Sequence, residues 1–516
     1  MNSTIDCDLL VVGGGLNGTA IARDAAGRGM SVVLCERDDL GAHAVASACG
    51  PLHPAVPSLK RQALSTLRKA LAERENLMRI APHAVTPLRL AVPRDAAPPP
   101  WRERASRMLA DRLAPRQLLP ASRHLDLLHH VAGLPLKPEF SQGELVSGCR
   151  VDGPRLAVLN AMDAAEAGAT ILTRTICDAA QRSGEGWQAT LRGPGGAGTL
   201  VRARAMVNAT GQWATRFLRS ASNIDLPLPL VKCIRLVVRK KLGHPCSYLL
   251  RDADGRSVLV MPCEDDATLV IGDGLPHGGE PGAPQVGDAD VDRLCSLLNR
   301  HFTARTSVAD VVQASAGLRL AVDGGDGSAH ELPHPYALRL DRDGPPLLSV
   351  LGGDAESFRR VAEEAVDQLA PLLGQGGGAW TAQACLPGGD LFGIAPTAQG
   401  VLGFGDYLRM KKQAFAWAPP ELVERYVHRY GSRIDRLLAG CAGMHDLGRE
   451  VLPGLFEAEL HYLIRHEWAQ TADDILRRRS RLGYLPPNGA AATLERWLAA
   501  MPAAQAEQAR QAVRHA

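Results

Sequence analysis

Within about thirty residues near its N-terminus the chain carries a strand, a glycine turn, a helix, a second strand and an acid. The apolar run Leu9-Leu10-Val11-Val12 leads into Gly13-Gly14-Gly15-Leu16-Asn17-Gly18, and a helical stretch follows from Thr19 to Gly29. A second apolar run, Ser31-Val32-Val33-Leu34-Cys35, ends in Glu36. This order predicts a β-α-β unit that receives a dinucleotide. Gly13 permits the tight turn, Gly15 lets backbone approach a pyrophosphate, and Gly18 lets helix and strand pack closely. The helix N-terminus presents unpaired N–H groups to phosphate, and Glu36 can accept from ribose hydroxyls.

A chain of 516 residues exceeds one typical domain, and 46% apolar residues suffice for full cores. The net charge of +3 gives no general pull toward nucleic acid. The 11 cysteines show no Cys-x-x-Cys and no Cys/His cluster. That spacing argues for reduced thiols in a cytoplasm and against structural zinc. The first residues are mostly polar or acidic and run straight into a strand, which argues against a secretory signal. No apolar run approaches the roughly 20 residues of a spanning helix.

Further along, Ser58 to Ile80 reads as a helix, and Pro93 to Pro100 as a proline-rich insert. Trp101 to Leu113 reads as a basic amphipathic helix, lying on its own domain or on a membrane surface. Apolar or alternating runs at Ala203–Val207, Ile234–Val238, Ser257–Met261 and Thr268–Ile271 predict strands of a β-rich substrate layer. Leu347 to Leu351, Gly352-Gly353 and a helical pattern from Ser357 to Ala370 repeat the strand–turn–helix arrangement. Gly374 to Gly378 reads as a linker with a boundary near 380, and Glu421 onward is mostly helical. One glycine motif at the extreme N-terminus, completed far downstream, suits FAD better than NAD. The small residues of Asn208-Ala209-Thr210-Gly211-Gln212-Trp213 allow backbone to pass close to that cofactor.

With these pieces placed, the chain resembles the FAD-dependent, aerobic-type glycerol-3-phosphate dehydrogenases of bacteria. The resemblance is carried by Asp24-Ala25-Ala26-Gly27-Arg28-Gly29, Ala70-Leu71-Ala72-Glu73-Arg74-Glu75, Asn208 to Gly211, Ala316-Gly317-Leu318-Arg319 and Leu386-Pro387-Gly388-Gly389. The C-terminal block adds Glu457-Ala458-Glu459-Leu460, Tyr462-Leu463, His466-Glu467-Trp468 and Ala472-Asp473-Asp474. It implies an α/β fold: a doubly wound, Rossmann-like FAD domain of the two-dinucleotide-binding type, an inserted antiparallel β-sheet substrate domain, and a C-terminal α-helical domain. The expected bounds are 1–75, 145–222 and 310–378 for the FAD domain, 76–144 and 223–309 for the substrate domain, and 380–516 for the helical one. The cofactor contacts expected are Gly13, Gly14, Gly15, Asn17, Gly18, Glu36, Ala209, Thr210, Gly211, Gly352 and Gly353. The family oxidises sn-glycerol 3-phosphate to dihydroxyacetone phosphate, passing electrons to quinone. Its members usually sit on the membrane surface as dimers, so a quinone acceptor, peripheral membrane contact and a homodimer are implied.

The chain departs from the family pattern at the substrate. His53 falls on a family histidine, but Pro54 and Ala55 replace a Gly-Gly pair, and Pro57 and Ser58 replace Arg-Tyr. Asp354 stands where the family has a lysine, and Leu332 or His334 where it has a second arginine. Arg319 keeps its match. The candidate catalytic residues are therefore His53, Arg319 and Asp354. At an effective dielectric near 20, a like-charge pair at about 4 Å costs about 4 kcal/mol, so Asp354 is expected to weaken phosphate binding. Asp354 can instead cap the helix that begins there. Arg359, Arg360 and the run Arg477-Arg478-Arg479 with Arg481 read as solvated helix residues. Three functions stay open: glycerol-3-phosphate dehydrogenase, a flavin dehydrogenase or oxidase for another small alcohol, hydroxy acid or amine, and a non-catalytic flavin-binding relative acting as an assembly module.

Overall fold

The computed structural model describes residues 4–43, 61–94, 117–196, 198–252, 255–263, 267–322, 336–480 and 482–501, with 61–67 and 273 described in backbone only. His53, Leu332, His334, Arg481 and the Trp101–Leu113 stretch lie outside the described residues.

Strands are numbered along the chain. The first eight-stranded sheet is built on five parallel neighbours in the order β16-β9-β1-β2-β6. These are β1 (Thr4–Val12), β2 (Val32–Cys35), β6 (Thr170–Leu172), β9 (Gly198–Asn208) and β16 (Leu347–Gly352). From β1 the chain winds one way to β2 and β6, and the later β9 and β16 add on the other side. The order therefore reverses at the β1/β9 boundary, where doubly wound sheets bind ligands at their carboxyl edge. Strand β15 (Tyr336–Asp341) pairs antiparallel with β16.

The buried strands Leu9-Leu10-Val11-Val12 and Val32-Val33-Leu34-Cys35 are apolar throughout because both faces are covered. Helices α1 (Leu16–Gly27), α2 (Arg61–Ile80) and α3 (Gly153–Glu166) contribute to the core on one face. On the other face, β7 (Ile176–Ser183), β8 (Gly186–Arg192) and the first half of β9 form a meander whose Trp187, Ala189 and Leu191 pack over Leu10, Val12 and Val33.

The second eight-stranded sheet runs β14-β10-β13-β12-β11-β3-β5-β4. It comprises β3 (Val85–Arg94), β4 (Arg123–Asp126), β5 (Gln142–Val151), β10 (Leu230–Val238), β11 (Ser247–Arg251), β12 (Ser257–Pro262), β13 (Thr268–His277) and β14 (Val311–Leu320). It departs from the expected antiparallel sheet at one seam: β11 pairs parallel with β3, Ser247 opposite Leu90. Two stretches far apart in sequence meet there, so no hairpin turn dictates their direction. Helix α4 (Ala214–Ser222) follows β9, and α5 (Asp288–His301) buries Leu294 and Leu298 against Ile234 and Leu236 of the second sheet.

Helix α6 (Phe358–Leu369) returns to the first sheet. The C-terminal helices, among them Pro420–Tyr430, Glu457–Glu467 and Ala490–Ala499, enclose a separate core around Val423, Val427, Leu460 and Leu463.

Candidate functional site

The carboxyl ends of β1, β2, β9 and β16 bring the expected cofactor residues together. Gly13 takes a left-handed backbone (φ +114°), and a Cβ there would lie 2.4 Å from the Ala209 carbonyl oxygen. Ala209 N–H in turn donates to the Val12 carbonyl at 2.9 Å, so the β9 end lies directly against the turn. A Cβ on Gly18 would meet the Gly13 carbonyl oxygen at 1.9 Å, so this glycine is required by the fold itself. Gly15 differs. It is the N-cap of α1, its side is open with no atom within 4 Å of a Cβ, and the first turn of α1 carries no acid. Asn17 Nδ2 donates to the Gly352 carbonyl at 3.3 Å, which ties the helix start to the β16 turn.

Glu36 is buried, with Oε2 accepting from Gly14 N–H at 2.7 Å and Oε1 from Asp38 N–H at 2.8 Å. Burial pushes its carboxyl above the ordinary range, against the pull of these two backbone donors. Each oxygen keeps a lone pair that a ribose hydroxyl can meet. At the β9 end, buried Asn208 donates to Ser349 Oγ at 3.1 Å and to the Ala214 carbonyl at 2.8 Å, while its oxygen receives Thr210 Oγ1–H at 2.7 Å. Gly211 stays exposed beside Trp213, over which the Arg37 guanidinium stacks at 3.9 Å. The open side of Gly15, the unopposed helix start and the Glu36 lone pairs all fit the adenosine diphosphate half of a dinucleotide.

After Gly353, the Asp354 side chain accepts from Glu356 N–H at 2.9 Å, and its own N–H donates to Ser357 Oγ at 2.9 Å. Asp354 thus closes a turn ahead of α6 rather than capping it; the N-cap of α6 is Ser357. The neighbouring residues face helix α2 rather than solvent. Arg74 grips Glu356 through two bonds of 3.0 Å, and Arg359 binds Glu73 through Nη2 at 2.6 Å, all four side chains buried. The solvated reading of Arg359 is therefore corrected. Helical spacing alone could not show that α2 supplies a carboxylate opposite it.

A larger correction concerns Arg477-Arg478-Arg479. Arg477 is exposed, but Arg479 is 0% and Arg478 11% exposed, and both bind Asp39 at 2.6–2.8 Å. These arginines sit on a π-helical turn, Asp474–Arg479, a geometry that re-aims side chains along a helix. Asp474 joins the cluster by accepting from Arg174 at 2.7 and 2.9 Å, and the surrounding arginines and backbone N–H groups hold its carboxyl far below the usual range. Arg155 pairs with Glu467. Asp39 precedes Leu40 and Gly41, which back the glycine turn: Gly41 N–H donates to Gly14 carbonyl oxygen at 3.0 Å. Sequence reasoning missed Asp39 as a site-supporting residue, because an Asp three residues after Glu36 gives no sign of a partner 440 positions away.

The comparisons with known proteins agree with this geometry. Residues 8–352 match the model described as FAD dependent oxidoreductase, and residues 379–510 match the C-terminal domain of alpha-glycerophosphate oxidase. A glycerol-3-phosphate dehydrogenase of Pseudomonas aeruginosa is 39% identical over 487 residues, 93% of each chain. The chain belongs to the FAD-dependent glycerol-3-phosphate dehydrogenase family. A D-erythritol 1-phosphate dehydrogenase of Brucella abortus is 36% identical, covering 92% of this chain and 94% of that one. In fold, the chain superposes on the FAD-complexed glycerol-3-phosphate dehydrogenase of Bacillus halodurans with a TM-score of 0.76, at 22% identity, over 98% of this chain and 93% of that one. The protein is an FAD-dependent oxidoreductase. No helix among the described residues is long and apolar enough to cross a membrane.

Proposed function

We propose that the protein oxidises the secondary alcohol of a small polyol phosphate, with sn-glycerol 3-phosphate converted to dihydroxyacetone phosphate and a quinone as final acceptor. The observation that carries this reading is the end-to-end match, cofactor domain and C-terminal domain together, to glycerol-3-phosphate dehydrogenases. FAD, when bound, supplies the hydride acceptor. The amides at the start of α1 hold its pyrophosphate across Gly15, and Glu36 holds the adenosine ribose. Ala209, Thr210, Gly211, Gly352 and Gly353 give the close backbone around the rest. Arg319 holds the substrate phosphate. His53, on the family's histidine position, is the proton acceptor for the C2 hydroxyl.

A second reading, a longer polyol phosphate, is favoured by Asp354 standing where the family's lysine belongs and by the relative that is a D-erythritol 1-phosphate dehydrogenase. Peripheral membrane contact is supported by exposed Leu128, Val131 and Leu134, which are 50–78% accessible. A homodimer is the oligomeric state implied by the resemblance.

The test is anaerobic flavin reduction. Purified protein should carry FAD and bleach on addition of glycerol 3-phosphate or D-erythritol 1-phosphate, and the faster of the two names the substrate. Failure of both to reduce bound FAD would overturn the reading. Gly15→Val should keep the fold, since space is open there, yet lose FAD. Gly15→Val with full FAD content would show that the cradle is misplaced.

A further inference from the structure

We propose that Arg235 is a second anion-holding residue of the substrate pocket, partnering Arg319. The proposal rests on the reading of Arg319 as a substrate cation. Strand register supplies the first argument. Arg235 lies opposite Ser315 and Arg319 opposite Val231 on the adjacent strands β10 and β14. Paired residues project to the same side and alternate along a strand, so both arginines stand on one face of the second sheet. That face carries Val237, Leu249, Leu259 and Leu269, and Tyr484 packs against it from the C-terminal region. The opposite face is the one covered by α5.

Residue size supplies the second argument. Between the two arginines the row holds the pair Cys233 and Gly317. The arginines are four residues apart along the strands, about 13 Å at roughly 3.3 Å per residue. With only a thiol and a hydrogen between them, the two long side chains can lean over the gap and close on one dianion.

Partner chemistry supplies the third. Arg235 is half-buried, donates Nε–H to Ser315 Oγ at 3.2 Å, and lies 6.0 Å from the Tyr484 ring. Among the described residues it makes no ion pair. Elsewhere the chain pairs its buried arginines with acids: Arg28 with Asp24, Arg74 with Glu356, Arg155 with Glu467, Arg479 with Asp39. Withdrawing a guanidinium from water without a carboxylate is costly, and an arriving anion removes that cost. A phosphate monoester fits the five donors of a guanidinium, one of which Ser315 already occupies. Arg235 thereby compensates for the lysine and arginine that the sequence lacks at the family positions.

The experiment compares wild type, Arg235→Gln and Arg235→Lys as FAD-loaded enzymes. KM and kcat are measured with the polyol phosphate that reduces the wild type. Dissociation constants of inorganic phosphate are read from the perturbation of the flavin spectrum, a readout that needs no turnover. Arg235→Gln should raise KM and the phosphate dissociation constant 10- to 100-fold together, with kcat within about threefold and FAD content unchanged. Arg235→Lys should recover part of both. Unchanged phosphate binding in Arg235→Gln overturns the proposal. A loss in kcat with KM preserved overturns it too, assigning Arg235 to the hydride step instead. If Arg235→Gln does not fold, Arg235→Lys decides alone: a threefold or larger rise in both constants supports the proposal, and wild-type values refute it. If no polyol phosphate reduces the wild type, the functional reading fails while phosphate binding still tests Arg235.

Discussion

The contact between the cofactor domain and the C-terminal helices carries several arginines, and the face of the second sheet proposed to meet substrate carries Arg235 and Arg319, but the two use their charges differently. At the contact, Arg155, Arg174, Arg478 and Arg479 are matched by Glu467, Asp474 and Asp39, so the charges are cancelled within the protein. On the sheet face, Arg235 has a hydroxyl and a ring for neighbours and, among the described residues, no ion pair. A cancelled cluster fixes geometry and has little capacity left for a ligand. A cation held without an acid keeps its donors for an anion. The family motifs of the C-terminal block, with Glu467 and Asp474 among them, thus read as docking residues for the cofactor domain. The departures from the family pattern gather at the positions proposed to meet substrate.

That contrast can be broken most sharply at Arg479. Arg479→Gln leaves Asp39 buried against Arg478 alone and should cost about 3–5 kcal/mol of stability, as removal of one partner from a buried ion pair does. Urea denaturation of the FAD-loaded protein measures it, and FAD affinity should fall with it because the Asp39–Gly41 segment backs Gly14. A variant as stable as wild type would show that the cluster is not the clamp described. Arg319→Ala should be milder on the fold and act on substrate. Loss of one charged hydrogen bond, about 1.5–3 kcal/mol, should appear in kcat/KM for the phosphate substrate while the melting temperature holds.

Glu36 gives a smaller, pH-dependent effect. Its carboxyl is raised without FAD, and ribose hydroxyls favour the ionised form, so binding releases a proton. FAD affinity should therefore be highest above the raised value and weaken as pH falls through it, in a window above 4.5. Fluorescence titration across pH should show the slope, and Glu36→Gln should flatten it at a lower overall affinity. A slope that survives in Glu36→Gln assigns the titration elsewhere.

At neutral pH the smallest effect is expected at His466. Burial, with Arg436 and Arg465 nearby, lowers its imidazole to about 4 from 6.5. The unfolded chain binds the proton first, so this contribution to stability is present above pH 6.5 and is lost as pH falls toward 4. His466→Phe should make the melting temperature less sensitive to pH across that window.

The β-α-β unit was legible because each step of it is local. Alternation of strand, glycine and helix within thirty residues leaves one compact arrangement, and Gly13, Gly15, Gly18 and Glu36 fall at one edge by chain geometry. The seam between β3 and β11 was not legible, since no pattern within either strand specifies a partner about 150 residues away. The same holds for the arginines. Helical spacing correctly left Arg477 in solvent, yet it could not show that a π-turn aims Arg478 and Arg479 at Asp39. It also could not show that Glu73 waits for Arg359, or that Arg235 shares a face with Arg319. The sequence by itself determined the cofactor and the family, because phosphate-binding backbone is encoded by short runs of small residues. Only the tertiary structure decided which charges are cancelled and which are left for a ligand, because a charge is set by what packs against it from distant parts of the chain.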